Sequence, residues 1–277
     1  MTKIDAREVR KSAIAGSWYP GTPEDLARDV DRYLAQVPAR DVPGELLGLV
    51  APHAGYKYSG PVAAYAYKLL EGLAFDTVAV VSPSHRVPYR DNAVTEMRHY
   101  WTPLGTVPVD EDLVTALAQH APVTRVPQDA EHSLEIQLPF LQRALGDGWT
   151  LLPIMMGDHS LPACRVLGGG LAAVLKDRRA LLVASTDLSH FHSEAAAHRL
   201  DGVVLDRVNA FDPEGLAEDL KMNVCEACGG GPTVAVMLAA RALGATDSQV
   251  LCYATSADVT GDRSNVVGYM AAAITRA

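Results

Sequence analysis

Three apolar runs in this chain end on residues that can bind a metal or move a proton. Leu46–Ala51 runs into Pro52-His53-Ala54-Gly55-Tyr56, and Thr77–Val81 into Ser82-Pro83-Ser84-His85. Ala180–Ala184 runs into Ser185-Thr186-Asp187-Leu188-Ser189-His190-Phe191-His192. Neutral imidazole is the commonest metal ligand, and it titrates near neutral pH, so it serves equally in acid–base chemistry. One histidine after a strand reads as well as a surface-loop residue. Three such ends, holding four of the nine histidines, weigh against that reading and point to a metal or acid–base site.

Cys228 extends the set. It stands in Cys225-Glu226-Ala227-Cys228-Gly229-Gly230-Gly231-Pro232, just ahead of the helical stretch TVAVMLAARAL. A helix N-terminus favours a thiolate, and the glycines let the backbone approach a ligand closely. The plainer reading of Cys228 is a small buried hydrophobe before a turn, which suits Cys164 and Cys252. Cys225 and Cys228 form a C-x-x-C pair, but a structural zinc site needs a second pair and none is present. A thioredoxin-type pair would directly follow a strand, whereas Lys221–Val224 reads as a helix end. A turn at Glu226-Ala227 would still let Cys225 reach Cys228 under oxidation.

Glu131-His132-Ser133-Leu134-Glu135 opens a predicted helix, with His132 and Glu135 at i, i+3, where both could face a pocket. A first turn rich in acids with a capping histidine accounts for the same residues. The turn-like Gly16-Ser17-Trp18-Tyr19-Pro20-Gly21 either walls a ligand site or packs as an N-terminal arm, the latter being the simpler reading. Asp258, Gly261, Asp262 and Ser264 suggest a polar loop near the same edge, and D-V-T-G-D-R does not match a Ca²⁺ loop.

The elements that must carry these residues alternate. Leu46–Ala51, Thr77–Val81, Thr150–Ile154, Ala180–Ala184 and Val250–Thr255 read as buried strands, rich in Val and Leu on both faces. Between them, Thr22 caps a helix that opens with Pro23, Glu24 and Asp25 and carries Leu26, Val30, Tyr33, Leu34 and Val37 on one face. Asp110–Gln119, Glu131–Leu145, Leu161–Leu175, Glu194–Asn209 and Gly231–Leu243 are further helices. NVVGYMAAAI fits a strand or a short helix. The pattern predicts one α/β domain over residues 1–277, with a largely parallel or mixed central sheet and helices on both faces. In such sheets, sites gather beyond the carboxyl ends of the strands.

Size and composition agree. The 277 residues suffice for a large core, and 48% hydrophobic with 21% charged residues is ordinary for a globular protein. A balance of 33 acids against 24 bases, net −9, argues against a nucleic-acid partner. No apolar stretch is long enough to span a membrane, and MTKIDAREVRKS lacks a signal-peptide core. Four cysteines are too few for a disulfide framework, so a cytoplasmic location is expected.

Taken in order, Pro52-His53-Ala54-Gly55-Tyr56, Pro83-Ser84-His85, Glu131-His132-Ser133-Leu134-Glu135, Ser185-Thr186-Asp187-Leu188-Ser189-His190 and Cys228-Gly229 resemble the Memo family. Its prokaryotic members are called AmmeMemoRadiSam system protein B. The resemblance runs from Ala15-Gly16-Ser17-Trp18-Tyr19-Pro20 to Tyr269. It implies a fold like the type III extradiol dioxygenases and a bound metal, iron or copper. It also implies metal ligands at His53, His85 and Cys228, with Asp187 and His190 beside them. Extradiol dioxygenases use two histidines and a carboxylate, so a thiolate in the third place is softer and suits Cu(I) or Zn equally.

Three functions follow as expectations. In the first, the chain is an Fe(II)-dependent, oxygenase-like enzyme acting on an unknown small or peptidic substrate. His190, oriented by Asp187, and His132 are then its catalytic groups, and radical SAM and AMMECR1-type proteins its partners. In the second, the site sequesters iron or copper, or docks a peptide, without turnover. In the third, Zn²⁺ activates water for hydrolysis, with a metal-free Cys228–His190 thiol mechanism as a variant.

Overall fold

The computed structural model describes residues 5–40, 42–127 and 129–277; the first four residues of the N-terminal stretch MTKIDAREVRKS lie outside it. Its strands are β1 (Val9–Arg10), β2 (Glu45–Ala51), β3 (Thr77–Pro83), β4 (Asn92–Thr95), β5 (His99–Thr102), β6 (Gly105–Pro108), β7 (Val123–Val126), β8 (Thr150–Met156), β9 (Ala180–Ser185), β10 (Asp187–His192), β11 (Asp247–Thr255) and β12 (Val266–Arg276). Its helices are α1 (Pro23–Gln36), α2 (Tyr56–Tyr67), α3 (Glu111–Leu117), α4 (His132–Glu135), α5 (Leu138–Leu145), α6 (Leu161–Leu175), α7 (Glu194–Asn209), α8 (Pro213–Lys221), α9 (Gly230–Ala242) and α10 (Ala257–Thr260).

Four strands made of Val, Leu and Ala form the middle of the sheet, because neither of their faces can be given to water. β2, β9, β3 and β8 lie side by side and parallel. Leu49, Val50, Val78, Val80, Leu182 and Val183 are fully buried, each stabilising the fold by about 1.5–3 kcal/mol through burial. Antiparallel strands flank this centre: β12 beside β2, and β4 beside β8 with β7 parallel to it. The sheet is therefore mixed. β1, β5 and β6 make a separate small sheet.

The final segment settles as a strand, and a long one. The C-terminal part of β12 pairs with β2, its N-terminal part pairs with β10 on the same side, and its other side pairs with β11. The residues after β9 do not stay a loop: they turn back at once as β10, with register shifts either side of His190.

Two helical groups cover the sheet. α1, α2 and α5 pack together, with α2 on β2 and β12; α6, α8 and α9 pack together, with α9 on β2, β3 and β9. α1 begins as predicted, with the Thr22 side chain accepting from Asp25 N and Pro23 in the first turn. α2 was not anticipated. The predicted helix Glu131–Leu145 is broken into α4 and α5. Pro139 in the first turn of α5 has no N–H to give, and its ring would collide with the Glu135 carbonyl in a continuous helix. Among the described residues, no helix is long and apolar enough to cross a membrane.

Candidate metal centre

The parallel strands deliver their terminal residues to one edge. His53 follows β2, His85 follows β3, Asp187 follows β9, and His132 opens α4 beside them. One donor atom from each of His53, His85 and His132 lies within 4.8 Å of the others. The ring centroids are 5.1 Å apart for His53–His85, 5.7 Å for His53–His132 and 4.8 Å for His85–His132. His53 and His132 are buried, while the His85 side chain is 30% exposed and opens the cluster to solvent.

Counting hydrogen bonds assigns the His53 tautomer. The single hydroxyl proton of Ser185 goes to the Ser133 carbonyl at 2.6 Å. Gln137 Nε2 donates to Ser185 Oγ at 2.8 Å and to Pro52 O at 3.1 Å, and its Oε1 accepts from Tyr67 Oη at 2.7 Å. With its proton committed, Ser185 Oγ can only accept from His53 Nδ1, 3.0 Å away. His53 therefore carries its proton on Nδ1 and turns the Nε2 lone pair outward. Burial, and then the neighbouring His85 and His132 rings, hold its pKa well below the ordinary value, so the ring is neutral.

Glu131 does the same for His85. As the cap of α4 it accepts from the backbone N–H of His132 at 3.0 Å and Ser133 at 3.2 Å. It also accepts from the N–H of His85 at 2.6 Å and Arg86 at 3.2 Å. Burial alone would raise its pKa, but His132, His85 and these N–H groups outweigh burial and keep it far below the carboxylate range. An ionised carboxylate only accepts, so the 3.2 Å contact with His85 Nδ1 places the His85 proton there. Glu131 Oε1 is also 3.1 Å from His132 Nδ1, but off the ring's donor direction, and that buried nitrogen has no aligned partner. Trp18 lies against the His132 ring, 4.4 Å between centroids and tilted by 52°.

Cys228 reaches the cluster from another direction. Its Sγ is 3.1 Å from His53 Nε2, and its N–H donates to the Asp187 carbonyl at 3.2 Å. Gly229 is required here: a Cβ would sit on the Ser185 carbonyl oxygen, and its N–H donates to Thr186 Oγ1 at 3.0 Å. Burial raises the thiol pKa, and the Asp187 charge adds to it, so the protein alone holds a thiol. Among the described residues, His53, His85 and His132 are the three mutually close donors, and Cys228 Sγ is a further candidate donor beside His53 Nε2.

Asp187 behaves differently from expectation. Its carboxylate accepts from His53 N–H at 2.7 Å, and among the described residues it makes no hydrogen bond to His190. Burial raises its pKa to about 6, against the His53 N–H and the His190 charge. His190 is half-buried and lines, with His53, His85, His132 and Asp187, a cleft of about 730 Å³ walled by Trp18, Tyr58 and Phe191. Phe191 is 73% exposed and holds φ at 63°, a strained conformation for a bulky residue, beside the site.

Other predicted residues go elsewhere. Glu135 faces away from the cluster and clamps the N-terminal arm. Buried Arg10 and half-buried Ser12 reach it, Ala13 N–H donates to it at 2.8 Å and Tyr19 Oη at 2.6 Å. Gly16–Gly21 is therefore both a packed arm and, through Trp18, a wall of the site. His192 pairs with Glu226 at 2.9 Å. Cys225 is buried and lines, together with Cys228, a neighbouring cavity; both thiols are free. The sequence reading passed over Ser185, Gln137 and Tyr67 as ligand supports. A Gln inside an apolar helical run was the one available signal.

A model described as "Memo-like protein" matches residues 10–273. A MEMO1 family protein of Methanopyrus kandleri is 38% identical, covering 95% of this chain and 97% of its own length. MEMO1 family proteins of Nitrosopumilus maritimus and Methanosarcina mazei are 33% and 36% identical, covering 94% and 95% of this chain and 98% of their own lengths. With its strand-end histidines, Glu131 cap and Cys228-Gly229 turn inside one continuous match, this chain belongs to the Memo family.

Proposed function

We propose that the chain is a metal-dependent, oxygenase-like enzyme that binds one divalent transition metal, iron(II), on His53, His85 and His132. One observation carries this: three imidazole donors lie within 4.8 Å of one another, two with tautomers that leave Nε2 unprotonated. Neutral imidazoles suit Fe, Cu and Zn, and the unpartnered His132 nitrogen marks a ring not yet satisfied by protein alone. When bound, the metal supplies Lewis acidity and, as iron, electrons for dioxygen chemistry. The chain's own groups bind and steer. The cleft admits a small organic or peptidic substrate, Trp18, Tyr58 and Phe191 hold its apolar part, and His190 gives or takes a proton at its imidazole. Four free thiols support a cytoplasmic setting, where radical SAM and AMMECR1-type proteins are proposed partners.

The Cys228 contact with His53 supports a second reading, in which His53, His85 and Cys228 hold copper without turnover. Metal analysis of protein purified anaerobically without added metal separates the two. Stoichiometric iron with O₂ uptake supports the enzyme, and tight copper without uptake supports the binding protein. Stoichiometric zinc would instead favour a hydrolase and overturn the oxygenase.

A further inference from the structure

At the opposite end of the sheet, where the parallel strands begin, lies a second cavity of about 660 Å³. From Glu45, at its rim, β2 runs seven residues before reaching His53, so on the order of 20 Å separates the two sites. Val37, Leu46, Leu69, Phe75, Leu175 and Leu243 form apolar walls, and Leu73 is 44% exposed.

The charge around it is opposite to that of the whole chain. Arg40, Lys68, Lys176, Arg178, Arg179 and Arg276 line it, against only Glu45 and Glu71 among the described residues. The protein as a whole carries 33 acids and 24 bases. Four of these cations are engaged: Lys68 with Glu71 at 2.8 Å, Arg178 with Asp110 at 3.6 Å, Arg179 with Asp76 at 2.6 Å, and Arg276 with Glu45. Arg40 and Lys176 are exposed and enter no ion pair among the described residues; Arg40 gives one N–H to the Leu251 carbonyl, which orients it. An apolar cavity with two rim cations that enter no ion pair among the described residues is complementary to a ligand with an apolar body and an anionic head.

We propose that this cavity binds an organic anion of that kind, of which a medium-chain carboxylate is the simplest. The body would lie against Leu46, Leu69 and Phe75, with the head between Arg40 and Lys176. This is a site separate from the metal centre and independent of its chemistry.

Calorimetric titration of the full chain with submicellar decanoate at low salt tests it, with decanol and acetate as separate probes. Decanoate should bind saturably and raise the melting temperature. Decanol, lacking the charge, and acetate, lacking the body, should each bind about tenfold or more weakly. Arg40→Gln with Lys176→Gln should weaken decanoate about tenfold, and both positions are exposed, so the variant keeps its fold. Decanol binding as tightly as decanoate would overturn the proposal, as would an unchanged affinity in the double variant. His53→Ala should leave decanoate binding intact; its loss there would move the carboxylate to the metal centre and sink the second site.

Discussion

Removing the Glu131 carboxylate would release the His85 imidazole and the backbone that places His132, because His85 Nδ1 and two backbone segments converge on it. In Glu131→Gln, an amide NH₂ replaces one acceptor and faces N–H groups that need one. We expect metal affinity to fall about 10–100-fold, as for other residues that orient ligands, and stability to fall by about 1–3 kcal/mol. Ser185→Ala should also weaken metal binding without touching the metal, since His53 then loses the acceptor that selects its tautomer. Competition with a metal-sensitive dye measures both, and affinities within twofold of the parent would show that the tautomers are not held this way. His85→Ala, at a partly exposed position, should lose the metal while unfolding within about 0.5 kcal/mol of the parent. Cobalt spectra then decide the third ligand. His132→Ala should abolish binding if the three histidines are the set, whereas loss of a thiolate charge-transfer band in Cys228→Ser would give the place to sulfur. Asp187 adds a pH dependence in the metal-free protein. Its folded pKa of about 6 lies above its unfolded value, so the folded state binds more protons in between. Stability is therefore lost as pH rises from about 4 to about 6, then stays level. Asp187→Asn should remove that slope and melt no lower than the parent at pH 7.5, which thermal scans across that range would check.

At the scale of the elements, the clamp on the N-terminal arm is the most vulnerable. Glu135→Ala would leave Arg10 buried beside Asp129 without its second carboxylate, a loss of about 3–5 kcal/mol for a broken buried pair. Denaturant unfolding should show it, with proteolysis within residues 9–21 as the accompanying sign. The strands and the sheet-edge location of the histidines were legible because Val/Leu runs that no water-facing strand would tolerate announce themselves locally. β10 was not: His190-Phe191-His192 has no strand periodicity, and pairing with β12 holds it against a strained Phe191. Nor was the break between α4 and α5, where periodicity runs through Pro139 unbroken. Glu131 looked like an ordinary first-turn acid because its function depends on His85, 46 positions earlier in the chain. Local patterns report burial and caps well, but contacts between distant segments leave no local trace.

In the whole molecule, β12 is both the last strand and an interior one. It lies against β2, the strand that delivers His53, and against β10, the strand that begins with Asp187. The strand that delivers His53 and the strand that begins with Asp187 thus both rest on the eleven residues of β12. During synthesis, the histidines after β2 and β3 leave the ribosome long before β12 does, and until then they hang from an unfinished sheet. Under the proposed function, metal is therefore taken up only after β12 has paired, however much of the sheet has formed before. Chains truncated before Val266 should fail to retain metal that the 277-residue chain keeps, which metal analysis of both would check.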